Sequence, residues 1–117
     1  MEGVKFSDFE KLELRVGEIL KVEEHPNASK LFILKVSFGD EERTIVAGLR
    51  GHYTAEELEG KKAVFVTNLE PAVLRGVKSE GMILAASNEG KSEVKILKPK
   101  TEVEVGTIVE IKNDKHR

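Results

Sequence analysis

At 117 residues and 13.0 kDa the chain has length for one hydrophobic core and none for a second catalytic domain, so one unit over residues 1–117 is expected, its core at about 6–111. Its 39% hydrophobic content excludes a largely disordered chain, no apolar run approaches the ~20 residues of a bilayer span, and zero cysteines remove disulfides and thiolate chemistry together. The net charge of −2 is unevenly spread: residues 1–60 carry −5, residues 61–100 carry +4 and residues 101–117 carry −1, leaving Lys61, Lys62, Arg75 and Lys78 as a local basic face in an acidic chain.

The opening MEGVKFSDFE is acidic and lacks the basic start and apolar core of a secretory signal, so a reducing cytoplasm is expected. Ser7 and Glu10 have capping-box spacing and predict a short helix held down by Phe6 and Phe9. From Leu12 the period changes to two: Leu12, Leu14, Val16, Leu20 and Val22 share one parity, and Glu13, Arg15 and Lys21 the other. That predicts a long half-exposed strand, with Gly17 as a bulge or bend that curls the sheet.

His25-Pro26-Asn27 breaks the chain. Phe32, Leu34, Val36 and Phe38 then alternate with Ile33, Lys35 and Ser37, and Gly39-Asp40 turns the chain toward a partner strand at Arg43 to Ala47. Thr54 and Glu57 repeat the capping-box spacing and Gly60 supplies a stop, which predicts a one- or two-turn helix at Ala55 to Glu59. Strands at Lys61 to Thr67, Met82 to Ser87, Glu93 to Leu97 and Thr107 to Ile111 complete an all-β pattern. The expected architecture is a five-stranded Greek-key OB barrel with short helices and an extra C-terminal β region.

Residues 68 to 82, NLEPAVLRGVKSEGM, place Asn68, Arg75, Lys78, Ser79 and Met82 on a connection between two apolar strands. A rigid sheet would hold these polar residues in place for recognition, although Asn, Gly and Ser are also ordinary turn formers. Beyond the barrel, Val94, Ile96, Leu97, Val103, Val105, Ile108, Val109 and Ile111 alternate in a way that needs cover, and a second copy is the expected cover.

The segments DFEKLELRVGEIL, HPNASKLFILKV, TIVAGL and NLEPAVLRGVKSEGMILAA, taken in order, resemble the tRNA-binding domain appended to the C-terminus of methionyl-tRNA synthetases, which also occurs as a free-standing dimeric protein. The likeness covers about residues 6 to 111. It implies an OB-fold that pairs through its C-terminal β region, grips the outer corner of folded tRNA by shape, and performs no chemistry. Implied partners are tRNA, a second copy of the chain and a methionyl-tRNA synthetase catalytic subunit, with no membrane and no cofactor.

By position, the resemblance assigns Asn68, Ser79 and Met82 to the RNA-facing motif, with Lys30 and Arg75 as cationic phosphate partners; Lys78, from the basic face of the same loop, joins the expected tRNA-binding residues. The apolar alternation beyond the barrel supplies Val94, Ile96, Val103, Val105 and Ile108 as the expected dimer interface. One departure stands out: the family loop is often basic just after Asn-Leu, whereas Glu70, Ala72 and Val73 leave this loop near neutral. The alternatives are a small dimeric export-related chaperone of similar fold that binds unfolded peptide, which shares the FEKLELRVG opening, and a scaffold that only dimerises a synthetase. His25, His52 and His116 have no metal-ligand spacing, and no phosphate loop or nucleophile elbow is present, so neither a metal site nor an enzyme is expected.

Overall fold

In the computed structural model, residues 1–112 are described; His116 lies outside them. The backbone of the fold is β1 (Leu14–Glu24), an 11-residue strand that serves two neighbours. Its first half pairs antiparallel with β4 (Lys62–Val66), from Leu14 opposite Val66 to Glu18 opposite Lys62. Its second half pairs with β2 (Phe32–Ser37), which continues to β3 (Glu42–Ala47).

The strand bends between Ile19 and Lys21, where the register to β2 shifts. Leu20 is the residue left over, and it is exposed while Ile19 is buried. The residues facing the main core therefore change parity across the bulge, from Ile19 to Val22, while Leu14 packs in a separate cluster with Val64 and Val66. Gly17 was expected at this bulge, but it pairs regularly with Ala63. Its role is packing, because a Cβ there would lie 2.6 Å from Val36 and 2.7 Å from the Phe38 ring.

A first short helix, α1 (Phe6–Phe9), starts at Lys5 with no side-chain cap, so the expected Ser7–Glu10 box is not formed. The second box is formed around α2 (Ala55–Leu58): Glu57 N–H donates to Thr54 Oγ1 at 3.1 Å and Thr54 N–H to Glu57 Oε1 at 2.7 Å. Beyond it, Glu59 Oε2 accepts the Val22 N–H at 3.0 Å, which satisfies a backbone donor of β1 and holds α2 against the strand.

Between β4 and β7 (Met82–Ile83) the chain forms a hairpin absent from the expected elements, β5 (Ala72–Leu74) with β6 (Val77–Ser79). The main sheet runs β3-β2-β1-β4-β7. It curls until its ends meet: Glu80 N–H donates to Thr44 O at 2.8 Å and Val46 N–H to Ser79 Oγ at 2.9 Å. This is a nearly closed antiparallel barrel of five strands.

β8 (Ala85–Ser87) and β9 (Val94–Ile96) form a second hairpin, and β10 (Ile108–Val109) pairs with the start of β1. Val94 and Ile96 pack partly buried against the main core of Ile19, Leu34, Phe38, Ile45 and Phe65. This corrects the expectation that they lie outside a finished barrel: their apolar surface helps complete it. Phe38 and Phe65 meet edge to face, centroids 5.5 Å apart at 87°. Among the described residues no helix is long and apolar enough to cross a membrane.

Candidate nucleic-acid interface

Two connections meet at one edge of the barrel, the turn of residues 25–31 after β1 and the β5–β6 hairpin. His25 joins them. Its backbone N–H donates to Leu31 O at 3.1 Å, closing the turn. Its ring is 2% exposed, with Nδ1 accepting the Asn27 N–H at 3.0 Å and Nε2 lying 3.0 Å from Leu74 O. A backbone N–H can only donate and a carbonyl can only accept, so the proton sits on Nε2 and the ring is the neutral tautomer. Arg50 braces the same turn through Nη1 to Ala28 O at 3.2 Å and His25 O at 3.4 Å, and through Nη2 to Glu24 at 3.1 Å.

The hairpin presents cations at its tip. Arg75 and Gly76 both have positive φ, 53° and 93°, the backbone of a two-residue type I′ turn that matches the twist of the flanking strands. Gly meets that requirement without strain; Arg75 is the unusual occupant. Both Arg75 and Lys78 are exposed, as is Lys30 on the turn. Lys30 also edges a groove of about 770 Å³ between the turn, the β3–α2 connection and the β8–β9 hairpin. Arg50, His52, Lys91, Ile83 and Val94 also line it, and among the described residues no carboxylate side chain does. In a chain of net charge −2 this is a local field favourable to an anion.

The other motif residues are used differently. Ser79 is 1% exposed; its Oγ accepts from Val46 N–H at 2.9 Å and donates to Gly81 O at 2.8 Å. Both hydroxyl functions are internal, which corrects the expectation of an RNA-facing hydroxyl: Ser79 closes the barrel. Asn68 is a clamp, its Oδ1 accepting Glu13 N–H at 2.7 Å and its Nδ2 donating to Lys11 O at 2.6 Å. Met82 is half-buried opposite Val66. The structure thus gathers Lys30, Arg75 and Lys78 on accessible connections and gives Ser79 and Asn68 structural bonds.

Arg43 anchors the hairpin's base. Its Nη1 donates to the carbonyls of Thr67 and, at 3.2 Å, Glu80, which lie on either side of the connection. Glu41 holds Arg43 at 2.9 Å and Arg15 at 2.8 Å, and both guanidinium groups stack over Phe38, at 5.8 and 4.7 Å. The Arg43 hydrogen bond, reinforced by Arg15, lowers the Glu41 carboxyl from its ordinary 4.5 to about 2.

A second depression, about 330 Å³, lies around β10 and α1, where Phe6, Phe9, Leu12, Ile108 and Ile111 are 36–54% exposed among polar neighbours that include Lys11, Glu13 and Asn68. Of the expected interface residues Ile108 lies here, whereas Val103 and Val105 are half-buried on the preceding connection. The sequence reading missed Arg50 and Lys91. The signal for Lys91 is conformational, a positive φ of 58° at the β8–β9 turn, which composition does not reveal. Among the described residues no group of three or more His, Cys, Asp or Glu is placed to hold a metal ion.

Residues 14–108 match the family model described as "Putative tRNA binding domain". The chain is 55% identical over 109 residues to a methionine–tRNA ligase of Pyrococcus horikoshii, covering 93% of this chain, and 51% identical over 109 residues to that of Methanococcus aeolicus, again covering 93%. It spans 15% and 16% of the length of those two relatives. Among solved structures it is similar to a MetRS-related protein of P. horikoshii, with TM-score 0.88 and 42% identity over 94% of this chain and 100% of that one. It is also similar to the chaperone CsaA of Bacillus anthracis, with TM-score 0.84 and 31% identity over 93% and 100%. An OB-like barrel with these motifs in order, matched over most of its length, belongs to the tRNA-binding domain family and is homologous to part of the archaeal methionine–tRNA ligases.

Proposed function

We propose that the chain binds folded tRNA through the face carrying Lys30, Arg75 and Lys78, and that it assists a methionyl-tRNA synthetase in the cytoplasm as a non-catalytic subunit or appended domain. The observation that carries this reading is the His25–Leu74 bond, which makes one rigid platform of the two connections that present those cations. OB-folds engage nucleic acids through the equivalent connections. Lysine and arginine at exposed turns bind phosphates by charge, and folded RNA offers phosphates and shape more readily than readable base edges. Base stacking is poorly supplied, since the chain is 5% aromatic and Phe38 and Phe65 lie in the core.

Two copies joined through the exposed apolar side chains around Ile108 would raise affinity by effective concentration rather than by new contacts. Pairing there would also cover the exposed side chains of β10 and α1.

A second reading, binding of unfolded peptide, draws support from the exposed apolar side chains Leu69 and Val73 on the same connection, 42% and 69% exposed, and from the likeness to a chaperone structure. A salt-dependent titration against several folded tRNAs, unstructured RNA of equal length and an unfolded polypeptide separates the two. Preference for folded tRNA with a steep salt slope supports the tRNA reading. Equal binding of unstructured RNA removes shape recognition, and salt-insensitive binding of polypeptide favours the chaperone reading.

A further inference from the structure

At the far end of β9 from the groove, residues 60–62 and 98–103 enclose a cleft of about 270 Å³ lined by Lys61, Lys62, Lys98, Lys100, Thr101 and Glu102, among others. Four lysines and one carboxylate line it. Lys62 is accounted for, with Nζ donating to Val103 O at 2.5 Å and lying 3.4 Å from Glu102. Lys61, Lys98 and Lys100 are exposed, and none has a carboxylate within ion-pair distance among the described residues. Gathering like charges without counter-charges opposes folding and favours whatever anion relieves it.

The walls of the cleft are fixed. Gly60 has φ +85°, its N–H donates to Ile19 O at 2.7 Å, and Lys61 N–H donates to Leu58 O at 3.1 Å. Those backbone donors are engaged within the fold, so the Thr101 hydroxyl and the three uncompensated ammonium groups are left to bind. Ammonium groups act as point charges that take phosphate oxygens without demanding planar geometry, which suits a sugar–phosphate backbone and carries no base readout.

The cleft includes neither Arg75 nor Lys78 and shares no residue with the groove, and β9 runs between cleft and groove. Val94 lines the groove, Lys95 is exposed on β9, and Lys98 lines the cleft. Four extended residues span roughly 13 Å. Glu93, on the same exposed row, and Glu102 at the rim are the opposing charges. Resting on the tRNA-binding reading, we propose that the Lys61–Lys98–Lys100 cleft is a second phosphate contact, engaging a backbone segment of the tRNA different from the one held at Lys30 and Arg75.

The test uses the full chain, a Lys61→Gln/Lys98→Gln/Lys100→Gln variant, and a Lys21→Gln/Lys35→Gln control on the β1–β2 face. Folded-tRNA affinity is measured across a salt series, and nuclease protection of the tRNA backbone is mapped for each protein and for Lys30→Ala/Arg75→Ala. The cleft variant is expected to lower the magnitude of the salt slope by about 2, given roughly 0.7–0.9 per phosphate contact, and to lose a protected segment that the Lys30/Arg75 variant keeps. An unchanged slope in a correctly folded cleft variant overturns the proposal, as does an equal fall in the control. Loss of the same segment in both binding variants overturns it too. Failure of the unmodified chain to bind any tRNA overturns the tRNA reading itself and this inference with it.

Discussion

The imidazole of His25 donates its Nε2–H to the carbonyl of Leu74 across 49 residues of sequence at 3.0 Å, tying the turn that carries Lys30 to the hairpin that carries Arg75. Replacing the ring removes this bond and the one from Asn27 N–H, and opens space at a side chain 2% exposed. His25→Ala is expected to destabilise the fold by on the order of 2–4 kcal/mol, read as a lower urea midpoint. Folded-tRNA affinity is expected to fall while the salt slope holds, because no phosphate contact is deleted. A variant with unchanged affinity would show that the two connections do not act together.

Lys30 and Arg75 should behave in the opposite way. Both are exposed on turns, so Lys30→Ala and Arg75→Ala leave the unfolding free energy from urea titration within about 0.5 kcal/mol of the unmodified chain. Each is expected to weaken tRNA binding and lower the salt slope by roughly one unit. An unaltered affinity in the folded double variant removes this pair from the site and favours the peptide or scaffold readings.

Ser79→Ala separates structure from contact. A hydroxyl touching RNA would cost affinity and leave stability alone, but this one lies 2.9 Å from a buried N–H, that of Val46. Its removal leaves that donor unsatisfied where the barrel closes, at about 1–3 kcal/mol of stability. Thermal or urea unfolding is expected to register the loss, with tRNA affinity changing less than in the Arg75 variant.

Glu41 gives the fold an acid limit. Its folded pKa of about 2 lies below its ordinary 4.5, so the stability it contributes is fully present above 4.5 and is lost as pH falls from there toward about 2. The effect is moderated by solvent, as the side chain is 39% exposed. Urea midpoints measured between pH 5 and pH 2 are expected to fall less steeply for Glu41→Gln than for the unmodified chain, in the window bounded by those two pKa values. Parallel pH curves would mean that the arginine pair does not depend on the carboxylate charge.

The elements legible in the sequence were those that local pattern determines. Alternation located β2, the Gly39-Asp40 turn located β3, and Thr54 with Glu57 located α2, because strand parity, turns and a capping box are set by near neighbours. Ser7 and Glu10 have the same spacing and form no box, since the N-cap position of α1 falls on Lys5, two residues before Ser7. The parity switch at Leu20 was not legible: the bulge is imposed by β1 having to pair with both β4 and β2. At the site, exposed Lys30 and Arg75 were readable from residue type and turn position. The structural use of buried Ser79 and exposed Asn68 was not, because it depends on Val46 and Glu13, 33 and 55 residues away.

Ile108 is the strongest lever on self-association. It is 54% exposed within a depression it shares with Phe6, Phe9, Leu12 and Ile111, all more than a third exposed, so a carboxylate there is solvated in a single chain. In a two-fold pair the same substitution enters twice, and each copy places a charge against apolar side chains, at several kcal/mol in total. Light scattering of Ile108→Glu is expected to give a mass near the 13.0 kDa of one chain, against twice that for the unmodified protein. The barrel should remain folded by far-ultraviolet circular dichroism, and tRNA affinity should fall, by up to the 10²–10⁴-fold that paired sites can confer. An unmodified chain that scatters as a single copy at all concentrations removes the dimer, and an Ile108→Glu protein that still pairs moves the interface elsewhere.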